Sequence, residues 1–294
     1  MKVFEGKGIF HWQVTEVKGG DPYATADLLN AAKIERVEIK VCDGPYKFRP
    51  TVAWGLNVTP EWLAKFKTRY KGTVGGWGFN YGYDTAGEGE MAAIQVNELG
   101  LDYYVFDVES RFEVQADIIN KAVNMIKLYR SKTLKPVGWC TWAWWRSSTG
   151  VQWHNIELAK KAVALCDFAM PMVYWPGQGA TTATNSLTNS LKQWKEITTT
   201  KPIIPVGRAY VGDGGTPDAA GTAAFHQTVL ANGLSGESWW DFQQALPLTA
   251  TWESVKLIKP WGTVITPAPS VILTDAQKFD MMWQDYLIRH PEYI

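Results

Sequence analysis

The sequence predicts an α/β protein folded as a (β/α)8 barrel of the TIM type, followed by a linker and a C-terminal helix. Three observations predict it. Short runs rich in β-branched and aromatic residues recur eight times along the chain. Between them lie longer stretches with the period of an amphipathic helix. No G-x-G-x-x-G follows the first run, which argues against an open dinucleotide-binding sheet. Eight such units in 294 residues match the size of a single closed barrel.

The strand runs are "GIFHWQ" (8–13), "RVEIKVCDG" (36–44), "TVGGWGFNYG" (73–82) and "DYYVFDVES" (102–110). They continue with "PVGWCTWAWW" (136–145), "FAMPMVYW" (168–175), "PIIPVGRAY" (202–210) and "GESWWDFQQA" (236–245). Among the helical stretches, "TPEWLAKFKTRY" opens with Thr59 as N-cap and Pro60 in the first turn. "VQADIINKAVNMIKLYR" places Ile118, Ala122, Met125, Ile126 and Tyr129 on one stripe. "NIELAKKAVALC" reads the same way, and "DAAGTAAFHQTVLANG" ends at Gly233 as a C-cap. The barrel is expected over 1–262. Over 263–294 a Pro-punctuated linker leads to "LTDAQKFDMMWQDYLIRH", which opens with a Thr274-x-x-Gln277 capping box. Its stripe of Phe279, Met282, Trp283, Tyr286 and Leu287 is expected to pack on the barrel, or else to dock on a partner or a second copy.

Composition narrows the function. Lys+Arg equals Asp+Glu at 29 each, and no basic run is present, so neither nucleic acid nor an anionic membrane is an expected partner. Three cysteines, Cys42, Cys140 and Cys166, match no disulfide framework or zinc spacing and sit in apolar runs, as inert buried thiols do. The N-terminal "MKVFEGKGIFHWQ" holds no signal-length apolar stretch. The chain is therefore expected to be made in a cytoplasm and to reach its target by some route other than standard export. Sixteen tryptophans are unusual; they serve either core packing or a groove in which sugar rings stack on indole. No histidine pair has metal-ligand spacing and no G-x-S-x-G is present, so no metal or other cofactor is expected, nor a serine hydrolase.

Alternate residues of a strand share a face. In "DYYVFDVES", Tyr104, Phe106 and Val108 suit the helix-facing side. Val105, Asp107 and Glu109 then face the barrel interior, with the two acids at the C-terminal end, where barrel enzymes carry their active sites. Mutual repulsion raises one carboxyl pKa, as a general acid requires. Catalysis is one reading of the pair; the other is that Lys40 and Arg208, on neighbouring strands, neutralise both acids. The remaining strand ends supply His11, Asp43, Trp77, Tyr81, Trp142, Tyr174, Tyr210 and Asp241. Such a mouth of acids and stacking surfaces suits a polysaccharide. A third reading, a sugar-phosphate or aldolase-type enzyme, uses Lys40 as the amine and "VGDGGTPDAAG" (211–221) as a phosphate loop.

The runs "VEIKVCDGPYKFRPT", "GEGEMAAIQVNELGLDYYVFDVES", "VGWCTWAWW" and "FAMPMVYW" resemble the glycoside hydrolase family 25 muramidases, across residues 8 to 175. The resemblance implies a lysozyme-like hydrolase that cleaves the N-acetylmuramic acid to N-acetylglucosamine linkage of peptidoglycan, as phage endolysins do. It implies Glu109 as general acid. Asp107 would orient it, or position the N-acetyl group or the transition-state charge. It also implies action on the cell wall after release, or within a virion. That family carries an Asp at the end of its first strand, whereas "GIFHWQ" has no acid. Either Asp241 or Asp43 replaces it, or the barrel binds glycan without cleaving it, as part of a larger phage particle. In the latter case Arg208 and Tyr210 contact polar groups of the sugar. Assistance by the substrate's own N-acetyl group is a further route, needing one acid and one positioning carboxylate.

Overall fold

The computed structural model describes residues 2–51 and 55–261; the linker and helix expected over 263–294 lie outside the described residues. The strands are β1 (Gly6–His11), β2 (Arg36–Asp43), β3 (Tyr46–Lys47), β4 (Thr73–Asn80), β5 (Tyr103–Val108), β6 (Val137–Trp142), β7 (Phe168–Val173), β8 (Val206–Arg208) and β9 (Gly236–Trp240). All except β3 pair in parallel, and β1 pairs with both β9 and β2, which closes an eight-stranded barrel. The short β3 is an antiparallel addition to the end of β2. The expected (β/α)8 barrel is therefore the fold.

The connecting helices are α1 (Pro22–Ala31), α2 (Pro60–Arg69), α3 (Thr85–Glu98), α4 (Ser110–Glu113), α5 (Ile118–Lys132), α6 (Ile156–Leu165), α7 (Ala180–Trp194), α8 (Ala219–Ala231), α9 (Phe242–Ala245) and α10 (Thr249–Leu257). Local chemistry sets their ends. The Thr59 hydroxyl accepts from the Trp62 N–H at 3.1 Å, capping α2 just before Pro60. Gly233, at φ +66°, turns the chain out of α8. The stripe expected on α5 is buried in full, from Ile118 to Tyr129. It packs in the outer core with Tyr104, Phe106 and Val108 of β5, the side assigned to the helices.

The interior is filled by alternating small and large residues. Gly8 stands in register beside Arg36, Gly75 beside Tyr103, and Gly138 beside Phe168. A Cβ on any of these glycines would collide with the neighbouring side chain. Glu38 lies among them, ion-paired with Arg36 and accepting from Tyr103 Oη at 2.6 Å and Ser238 Oγ at 2.9 Å. Because its lone pairs are satisfied, this buried charge is tolerated. Phe10, Trp77, Val105, Cys140, Met170 and Val206 form an apolar plug in the same interior. The barrel is solid, and its functional surface is the C-terminal rim. The three thiols are buried and free, as expected.

Two strand expectations need shortening. "PIIPVGRAY" yields only Val206–Arg208, since Pro202 and Pro205 offer no N–H to a ladder. "GESWWDFQQA" stops at Trp240 and becomes α9.

Candidate active site

The interior face of β5 runs through Tyr103 and Val105 to Asp107. The strand then ends, and Glu109 stands in extended conformation at the start of α4 without using its side chain as a cap. Asp107 is only 5 % exposed, and its Oδ1 has no hydrogen-bond partner. Burial raises its pKa well above the usual carboxylate range; the Glu109 charge adds to this, and Lys40 opposes it. Glu109 is half-buried and is also raised, by burial. Glu109 has no ion pair or hydrogen bond to its carboxylate among the described residues. The pair therefore holds a proton at pH values where free carboxyls have lost theirs.

Near the pair stand Tyr174 and Tyr210, their rings edge to face at 5.5 Å. Burial, with Asp107 and Glu109 among the nearby charges, pushes the Tyr174 phenol well above its ordinary value. Tyr174 thus stays a neutral donor. Cys140 sits in register with Asp107 on the adjacent strand; burial and the two acids keep its thiol protonated.

On the β2–β4 side, the Lys40 ammonium pairs with Asp43 at 2.9 Å, and Asp43 accepts from Tyr81 Oη at 3.1 Å. The same ammonium lies 5.1 Å from the centre of Trp77 and 4.3 Å from that of Phe48. Trp77 itself is 2 % exposed, so it is a floor beneath the mouth rather than a free platform. Above it lies Trp240, 5.2 Å away, with Phe10 and Trp12 against it. On the β6 side, Trp142 stacks on His154 at 4.2 Å, and His154 Nδ1 is held 2.9 Å from Glu113 Oε2.

The rim thus gathers Asp107, Glu109, Lys40, Asp43, Trp77, Tyr81, Trp142, Tyr174 and Tyr210. Three expected residues are elsewhere. His11 points outward, because the interior face of β1 is that of Phe10. It packs edge to face on Phe242, and burial lowers its imidazole to about 3 against a weaker pull from the Gln13 backbone. Arg208 is fully buried and donates to the carbonyls of Gly177, Gly212 and Gly215, so it clamps two loops and does not reach the acids. Those carbonyls also turn acceptors inward, which is the wrong polarity for a phosphate loop. Asp241 caps α9: Oδ1 accepts from the Gln244 N–H at 2.9 Å and Oδ2 from Gln244 Nε2 at 3.0 Å. Burial raises it to about 6.

Sequence reasoning missed Trp12, Trp240, Glu113 and His154. A D-x-x-Q capping pattern at Asp241–Gln244 would have placed Asp241 on the helix and Trp240 in the mouth. Glu113 ends α4 and His154 lies in the loop before α6, 41 residues apart, and no local pattern joins them. Among the described residues, no group of three or more His, Cys, Asp or Glu side chains forms a metal cage. No described helix is long and apolar enough to cross a membrane.

Neither a scan of protein-family models nor a search of curated proteins finds a match. Solved structures do match. A glycoside hydrolase family 18 chitinase from Pseudoalteromonas aurantia has a TM-score of 0.61 and 14% identity, over 86% of this chain and 98% of its own. The spore cortex-lytic enzyme of Bacillus cereus has a TM-score of 0.60 and 11% identity, over 87% of this chain and 74% of its own. A family 18 N-acetylglucosaminidase from Paenibacillus barengoltzii has a TM-score of 0.60 and 11% identity, over 86% and 99%. At these identities the likeness is one of fold. The neighbours are glycoside hydrolase barrels, and the family 18 members among them differ from the family 25 resemblance expected from the sequence.

Proposed function

We propose that the protein is a glycosidase acting on an N-acetylated glycan of the peptidoglycan or chitin type. The observation that carries this is the acid pair at the C-terminal end of β5: burial raises the pKa of both Asp107 and Glu109, and among the described residues no cation pairs with either. Lys40 is engaged by Asp43, and Arg208 by loop carbonyls.

Glu109 is the general acid. Burial holds its proton, and its half-exposed position lets it reach a glycosidic oxygen. Both acids come from one face of one strand, and the other expected carboxylates are occupied: Asp43 by Lys40 and Tyr81, Asp241 as a helix cap. Among the described residues, Asp213 and Glu113 are engaged as well, by Tyr210 and His154, which leaves no unpartnered rim carboxylate besides the acid pair to attack the sugar or activate water, as two-carboxylate mechanisms require. The substrate's acetamido oxygen is then the internal nucleophile, a route known among glycosidases. Asp107, with its unpartnered Oδ1, holds the acetamido N–H, and Tyr174 donates to the acetamido oxygen. Trp240, half-buried above Trp77, offers a face for the sugar ring. As the aglycone leaves with the Glu109 proton, C1 bonds to the acetamido oxygen. Glu109, now a base, takes a proton from the water that opens this ring.

The neighbouring structures include a chitinase, an N-acetylglucosaminidase and a cortex-lytic enzyme, which supports a substrate of this class. Within it, the family 25 resemblance favours muramidase cleavage of peptidoglycan, with the chain acting on a cell wall after release, as a phage lysin does. The alternative is a barrel that binds glycan without cleaving it, favoured by the absence of an acid at the end of β1. Replacing Glu109 by Gln tests the reading. The parent is expected to release reducing ends from peptidoglycan or chitin oligomers, and Glu109→Gln to lose at least about a hundredfold of that rate while still binding the glycan. A parent protein that binds but never cleaves supports the alternative.

A further inference from the structure

A cleft of about 810 Å³ starts at Tyr174 and runs between the loop after β6 and helix α7. Its volume is in the range of dedicated ligand sites, about 300–1,000 Å³. Tyr174 and Asp213 tie it to the candidate site, since Asp213 accepts from Tyr210 Oη and Tyr210 packs on Tyr174. At its outer end stands Trp153, 57 % exposed.

The wall carrying Trp153 is built in advance. The Gln193 side chain of α7 accepts from the N–H groups of Trp145 and Arg146 at 2.7 and 3.1 Å and donates to the Arg146 carbonyl at 3.1 Å. Ser190 Oγ and Trp194 Nε1 bind the carbonyls of Ala143 and Trp142 at 2.8 and 3.2 Å. Within the loop, the Trp153 N–H donates to the Trp145 carbonyl at 2.8 Å. A backbone anchored in this way has already lost part of the entropy that binding would otherwise cost. Trp144 and Pro176 add apolar surface to the lining, beside the polar Ser147, Ser148 and Asn189. Its charges balance: Arg146 is paired with Glu196, and Lys192 faces a cleft that also holds Asp213. A flat aromatic face among hydroxyls and amides, without net charge, fits a neutral sugar chain rather than a polyanion.

We infer that this cleft binds further sugar units of the same substrate, so that the protein acts on polymeric glycan with Trp153 as a remote stacking platform. The inference rests on the glycosidase reading above and deepens it. Chitin oligomers of two to six units are titrated calorimetrically against Glu109→Gln protein with and without Trp153→Ala, and parent hydrolysis of each oligomer is followed in parallel. Affinity is expected to rise with chain length; Trp153→Ala removes about tenfold from the long oligomers and leaves the dimer unchanged. Hydrolysis by the parent, with affinity independent of length or indifferent to Trp153→Ala, overturns the cleft alone. Equal weakening of dimer and hexamer overturns it too, because Trp153 would then act at the acid pair. If no oligomer is bound or cleaved, the glycosidase reading on chitin-type chains and this extension fall together.

Discussion

Asp107 costs the fold stability at neutral pH, and the direction follows from its environment. Its folded pKa lies above the unfolded value of about 3.9. The native state therefore keeps a proton that the unfolded state releases, and stability falls as pH rises from about 4 through the folded value. Asp107→Asn removes the ionisable group while keeping the shape. Urea unfolding should find the variant more stable than the parent at pH 7 by on the order of 1 kcal/mol, a gap that closes towards pH 4. Equal stability at both pH values would mean that Asp107 is solvated or paired. The acids themselves were legible in the sequence, because a strand alternation decides which side chains share a face. His11 was not. "GIFHWQ" puts an apolar residue on each face, Phe10 on one and Ile9 on the other, and the structure shows the Gly8 and Phe10 face to be the interior one.

At the scale of elements, the barrel depends on which strands carry the small interior residues. Gly138 leaves room for the Phe168 ring on the adjoining strand, and Phe168 in turn stacks on Phe4 and meets Tyr103. Gly138→Ala should overpack this layer and cost about 1–3 kcal/mol in chemical denaturation, more than an alanine on an exposed helix face would. A neutral result would show that the layer has slack. Strand existence was readable from β-branched and aromatic runs, and α2 and α5 from a cap and a stripe. Strand ends were harder. Asp241 looks like the last inward residue of a strand, yet its side chain closes the first turn of α9. Arg208 looks like a rim cation, yet three loop carbonyls hold it. In both cases a polar side chain serves the backbone of a loop or helix end, a competition that period-two patterning does not register.

For the whole molecule, closure of the sheet brings residues from six strands and their following loops to one rim: Lys40 and Asp43 from β2, Tyr81 after β4, the acids on and after β5, Trp142 from β6, Tyr174 after β7 and Tyr210 after β8. That convergence was legible once a barrel was inferred, since every strand presents its C-terminal end on the same side. The layering of Trp240 over Trp77, and the His154–Glu113 support behind Trp142, depend on contacts between segments far apart in sequence. In the proposed mechanism Glu109, just past the end of β5, works with the substrate's acetamido group as internal nucleophile. The most direct test is the anomeric configuration of the first product, read by proton NMR within minutes of adding parent protein to an N-acetylated oligosaccharide. Two displacements at C1 predict a product that retains the β configuration. An initial α product, or no product from either peptidoglycan or chitin chains, would contradict it.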